Sequence, residues 1–97
     1  MSAVVLFVEL EIAPGHRDEF VARARQHREN VLKNEADCDR FDVSVPDDAE
    51  NVVRLYEVYT DQAAVDHHMG TSYMAAYRED TGSLVTDRKI TKALLQN

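Results

Sequence analysis

Apolar residues along this chain follow two different periods, and the two alternate. From Ala3 to Ile12 β-branched and aromatic residues dominate, and Pro14-Gly15 stops the run, which predicts a first strand. Val4, Leu6, Val8, Leu10 and Ile12 fall on one face, and Val5, Phe7, Glu9 and Glu11 fall on the other. After the turn, Phe20, Ala24, His27 and Val31 recur at spacings of four, three and four, one stripe of a helix over Arg17–Lys33. Asp18 and Glu19 stand in its first turn, where the helix dipole favours acids. Phe41-Asp42-Val43-Ser44-Val45 alternates strictly until Pro46, as a strand with one buried face does. Val52–Thr60 is a third strand, with Val53, Leu55, Glu57 and Tyr59 on one side. Thr60-Asp61 can cap a short helix through about His68, and Thr71-Ser72 another through Leu84. Tyr73, Ala76, Tyr77 and Leu84 mark the expected inner side of that last helix. Arg88–Leu95 reads as a closing strand, although its alternation is imperfect.

The order strand–helix–strand–strand–helix–strand, with right-handed crossovers, predicts an α+β, ferredoxin-like βαββαβ fold. Its antiparallel sheet carries helices on one face. Residues 1–97 are enough for one core and read as a single domain. The other sheet face would leave Val5 and Phe7 open, and a symmetric homodimer packed sheet to sheet would cover them.

Composition narrows the partners. Hydrophobic residues at 44% and charged residues at 30% exclude intrinsic disorder. A net charge of −7, from 11 basic and 18 acidic residues, speaks against nucleic acid and anionic membranes, which need a cationic surface. The apolar run Ala3–Val8 is too short to span a bilayer and lacks the charge pattern of a signal peptide. The one cysteine, Cys38, has no partner for an internal disulfide and reads as a small buried hydrophobe. A reducing compartment, hence a cytoplasmic location, is the expectation.

Several side chains depart from the packing pattern. Glu57 projects from an otherwise apolar row, where burial would raise its proton affinity toward the range useful for acid–base catalysis. An edge position or an arginine partner would instead make it an ordinary surface carboxylate. His27 lies on the apolar stripe of the first helix, as a hydrogen-bonded core residue or as a catalytic group. His67 and His68 both border the small helix's apolar positions, and spacing does not choose between them. Asp66-His67-His68 is no metal signature, because adjacent helical side chains diverge. Tyr56, Tyr59, Tyr73 and Tyr77 fit half-buried packing with a satisfied hydroxyl, and solvation is the default for Asp42. No phosphate loop, dinucleotide fingerprint or nucleophile elbow is present.

The string Cys38-x-x-Phe41-Asp42-Val43, then Tyr56-Glu57-Val58-Tyr59-x-Asp61-x-x-Ala64, then His68-x-x-Thr71, resembles the antibiotic biosynthesis monooxygenase-like family. Leu84–Leu95, with Arg88-Lys89-Ile90, is similar to that family's last strand. Within it, Phe-Asp-Val and Tyr-Glu-x-Tyr look most like the autoinducer-2-degrading isomerase branch. The resemblance implies a dimeric α+β barrel with a pocket between sheet and helices, and no flavin, haem or metal for monooxygenase members. It places the family's pocket histidine on His68, its strand glutamate on Glu57 and its helix-one histidine on His27. Tyr59, Tyr73 and Asp42 become candidate substrate contacts. Where relatives often carry a second histidine in His-x-x-Thr-x-His, this chain has Tyr73, a poor base at neutral pH. The absence of tryptophan weighs against the haem-degrading branch. The expected activity is cofactor-independent monooxygenation of a small oxygenated organic molecule. The alternatives are isomerisation of a phosphorylated autoinducer-2-like sugar, or a non-catalytic dimeric ligand-binding or stress-response module.

Overall fold

A computed structural model describes residues 2–97. Its elements run β1 (Val4–Ile12), α1 (Arg17–Asn34), β2 (Cys38–Ser44), β3 (Val52–Tyr59), α2 (Gln62–Met69), α3 (Ser72–Thr81) and β4 (Val85–Leu94). The four strands form one antiparallel sheet in the order β2-β3-β1-β4, the ferredoxin-like arrangement. Gly15 makes the turn into α1 with φ +82°, a conformation glycine adopts without strain. No helix is long and apolar enough to cross a membrane among the described residues.

The core lies between the helices and one sheet face. Phe20, Ala24, His27 and Val31 are the buried residues of α1, the stripe that the spacing marks. They meet Val4, Leu6, Val8, Leu10 and Ile12 of β1 and Val53, Leu55 and Tyr59 of β3. Cross-strand register sets Glu57 opposite Leu6 on one side and Phe41 on the other, in the middle of this apolar layer.

Three details differ from expectation. The last helix stops at Thr81, and its buried side is Met74, Tyr77 and Thr81, with Ala76 exposed. Leu84 is buried in the turn that follows, because the chain must already bend there to start β4 at Val85. Val5 is 2% exposed within the single chain, beside Val58 and Ala93 on neighbouring strands, so Phe7 at 48% is the main apolar group left open on that face. The imperfect alternation of β4 has a physical cause: only Val85 and Ala93 are even half-buried, so burial does not select its residues.

Two hydroxyl and carboxylate caps hold α2 and α3. Asp61 accepts from the Ala64 amide at 2.9 Å, and Thr71 accepts from the Met74 amide at 3.3 Å. Thr71 also donates to the His68 carbonyl at 2.9 Å, tying the end of one helix to the start of the next. Replacing Thr71 with Val keeps the shape and removes both bonds. Urea unfolding of that variant should show a loss of about 1–2 kcal/mol.

Candidate active site

Glu57 is the central oddity, a carboxyl only 4% exposed within an apolar layer. Tyr59, two residues along the same strand face, donates to Glu57 Oε1 at 2.5 Å. Burial pushes the Glu57 pKa above the ordinary carboxylate range, against the opposing pull of that hydrogen bond and of nearby His68. His68 Nε2 faces Glu57 Oε1 at 3.9 Å, too far for a hydrogen bond and near enough for a proton to pass through a bound group.

The other edge of the His68 ring meets a residue that the sequence did not single out. Nδ1 lies 3.1 and 3.0 Å from the two oxygens of Glu35, itself 5% exposed. A carboxylate only accepts, so Nδ1–H is the donor to Glu35, and Nε2 is the edge that faces Glu57. Tyr73 donates a short hydrogen bond to the same Glu35 carboxylate. Glu35 is the residue at the C-terminal end of α1, where the helix dipole disfavours an acid. That mismatch was the available signal, lost in a run of acids around it.

His27 completes the group from α1. Its ring stacks on Tyr77 at 4.1 Å between centroids and 6° between planes, and stands edge-on to Phe41. It is 1% exposed, yet neither ring nitrogen has a hydrogen-bond partner among the described residues. Burial, with the charges of His68 and Arg23, pushes its pKa down to about 4, so the ring is neutral near pH 7 and offers one N–H and one lone pair.

His27, Glu57 and His68 line one cavity with Leu6, Val8, Phe41 and Leu55. The cavity volume is about 30 Å³. Met69 and Met74 narrow it, and unbranched thioether chains can give way to a guest. The mouth opens beside β4, where Arg78, Arg88 and Ile90 line it.

The structure thus brings Glu57, His68 and His27 together and places the other candidates elsewhere. Tyr59 and Tyr73 act behind them, on the carboxylates of Glu57 and Glu35. Asp42 points to the opposite sheet face, paired with Arg40 at 2.6 Å, because it alternates with buried Phe41. Arg28 donates to the Phe41 carbonyl at 2.6 Å. His67 is exposed at the rim of a separate surface hollow. The buried Cys38 thiol is pushed up to about 11, mainly by burial, which suits an inert packing residue. Among the described residues no group of three or more His, Cys, Asp or Glu side chains is placed to hold a metal ion.

The protein is thus a small α+β domain of ferredoxin-like fold with an acid–imidazole pair in a cavity between sheet and helices. Residues 3–80 match the model of the antibiotic biosynthesis monooxygenase family, and the chain belongs to that family. Its fold is shared by a candidate antibiotic biosynthesis monooxygenase of Caulobacter crescentus, with TM-score 0.95, 22% identity, and 99% of this chain and 92% of that one covered. A second such protein, from Nitrosomonas europaea, gives TM-score 0.92 and 20% identity over 97% of this chain and 90% of that one. A Bacteroides thetaiotaomicron protein described as a possible oxidoreductase gives TM-score 0.89 and 20% identity, covering 97% and 98%. No curated protein matches the sequence.

Two measurements check the electrostatics. Glu57 binds its proton more tightly when folded, so its ionisation costs stability as pH rises above 4.5. Glu57→Gln removes that cost, and its melting temperature near neutral pH should exceed that of the parent. His27 has the opposite sign: the unfolded chain takes up its proton first, so stability falls as pH drops from 6.5 to about 4. In His27→Phe the melting temperature should fall less over that interval.

Proposed function

We propose that the protein is a cofactor-independent monooxygenase acting on a small hydroxylated organic molecule, as a homodimer. The observation that carries the reading is the buried Glu35–His68 pair, which aims a basic nitrogen at Glu57 across an apolar cavity. His68 Nε2 takes the phenolic or enolic proton, and Glu35 holds the ring in the tautomer that can accept it. The resulting anion is electron-rich enough to reduce dioxygen and form a carbon–oxygen bond at a ring carbon. Loss of water from the peroxide leaves a quinone carbonyl. One oxygen atom stays in the product, and the other leaves with the phenolic proton and the ring hydrogen. Glu57, whose proton affinity burial raises, is the group that hands a proton to the departing oxygen. The neutral His27 N–H supports the oxyanion. An apolar enclosure suits this sequence, because water would quench both the anion and the peroxide.

The same pair could instead shift a proton alpha to a carbonyl in a phosphorylated sugar-like substrate, and the arginines at the mouth favour keeping that second reading. The dimer would bury the open sheet face, where Phe7 packs edge-on against Tyr56 at 5.3 Å.

An oxygen electrode with a panel of quinols separates the two. Oxygen uptake without added cofactor is expected, and isomerisation without uptake would overturn the leading reading. His68→Gln should lower kcat by roughly 10²–10⁴. Glu35→Gln should lower kcat with KM unchanged and move the pH profile, since it acts through His68.

A further inference from the structure

Two arginines at the cavity mouth, Arg78 and Arg88, make no side-chain hydrogen bond or salt bridge among the described residues. Arg23 pairs with Asp80, Arg40 with Asp42 and Arg54 with Glu9, and Arg17 and Arg28 donate to backbone carbonyls; Arg25 has no such partner among the described residues, but it does not line the cavity. Arg78 on α3 and Arg88 on β4 form no salt bridge among the described residues, although the chain carries 18 acids. Both line the cavity that holds Glu57 and His68.

The interior of that cavity points to a ligand independently. His27 is buried with both ring nitrogens unpartnered, an arrangement rare in folded proteins and one that a guest's oxygen would satisfy. A full negative charge does not belong at that depth, beside the Glu57 carboxyl and a neutral imidazole. It belongs at the mouth, where a guanidinium fork matches two oxygens of one anionic group. A net charge of −7 would otherwise repel such a molecule, so local cations are needed to admit it.

We infer that the cavity takes an organic anion, with its hydroxylated end inside against His27 and its carboxylate or phosphate at the mouth on Arg78 and Arg88. This deepens the monooxygenase reading by giving its substrate class, and rests on the same cavity being the substrate site.

Titration calorimetry near neutral pH tests it with matched probes: hydroquinone, its carboxylated form gentisate, and its phosphate monoester. At least one anion should bind about tenfold tighter than hydroquinone or better. Preference for one anion tells carboxylate from phosphate. The advantage should shrink as salt is raised and vanish in the Arg78→Ala, Arg88→Ala double variant, with hydroquinone affinity unchanged. His27→Phe should weaken every probe by a similar factor. Equal affinities in the parent protein, no measurable binding of either anion, or an anion advantage that survives the double variant would overturn the inference. Oxygen uptake run beside it keeps the two ideas apart. Anion preference without uptake supports the inference and removes the monooxygenase, whereas uptake with equal affinities does the reverse.

Discussion

The structure turns on a carboxyl group set into the apolar side of a β-sheet. Glu57 lies between Leu6 and Phe41 across the strands, where a charge is poorly solvated. Everything around it answers that cost. Tyr59 supplies a hydroxyl from the same strand, α2 brings an imidazole, and α1 closes the top with a second ring. A leucine there would pack with less expense. The same placement that makes Glu57 costly to bury sets it beside His68 and His27, with the helical layer as their cover.

The pair of carboxylates divides the work by environment. Glu35 accepts from both Tyr73 and His68, so its lone pairs are well satisfied. Glu57 accepts one such bond and faces apolar side chains, and burial raises its proton affinity. An imidazole between them has one edge fixed and one edge free. That asymmetry makes the two edges of the ring chemically distinct.

Much of this was legible in the sequence. Strict alternation placed Phe41 inward and Asp42 outward, and the spacing of Phe20, Ala24, His27 and Val31 put a histidine in the core of α1. Glu57 stood out because period-two patterning makes a polar residue in an apolar row visible. Other features were hidden for physical reasons. Glu35 reaches His68 across 33 residues of sequence, a juxtaposition that local periodicity does not encode. The inner side of α3 was misread because exposed Ala76 looks apolar and buried Thr81 looks polar. Arg88 belongs to a strand with little burial, so nothing in its neighbours announced that a cavity ends there.

The short link between α2 and α3 gives the site a mechanical character. One hydroxyl, on Thr71, is bonded both to the carbonyl of His68 and to the amide of Met74. The Met74 thioether and the His68 ring, both on the cavity wall, are thus tied through one side chain. Moving α3 aside to widen the entrance also pulls on the backbone that aims the imidazole. Any guest that displaced Met74 would therefore load the same hydroxyl that holds the end of α2.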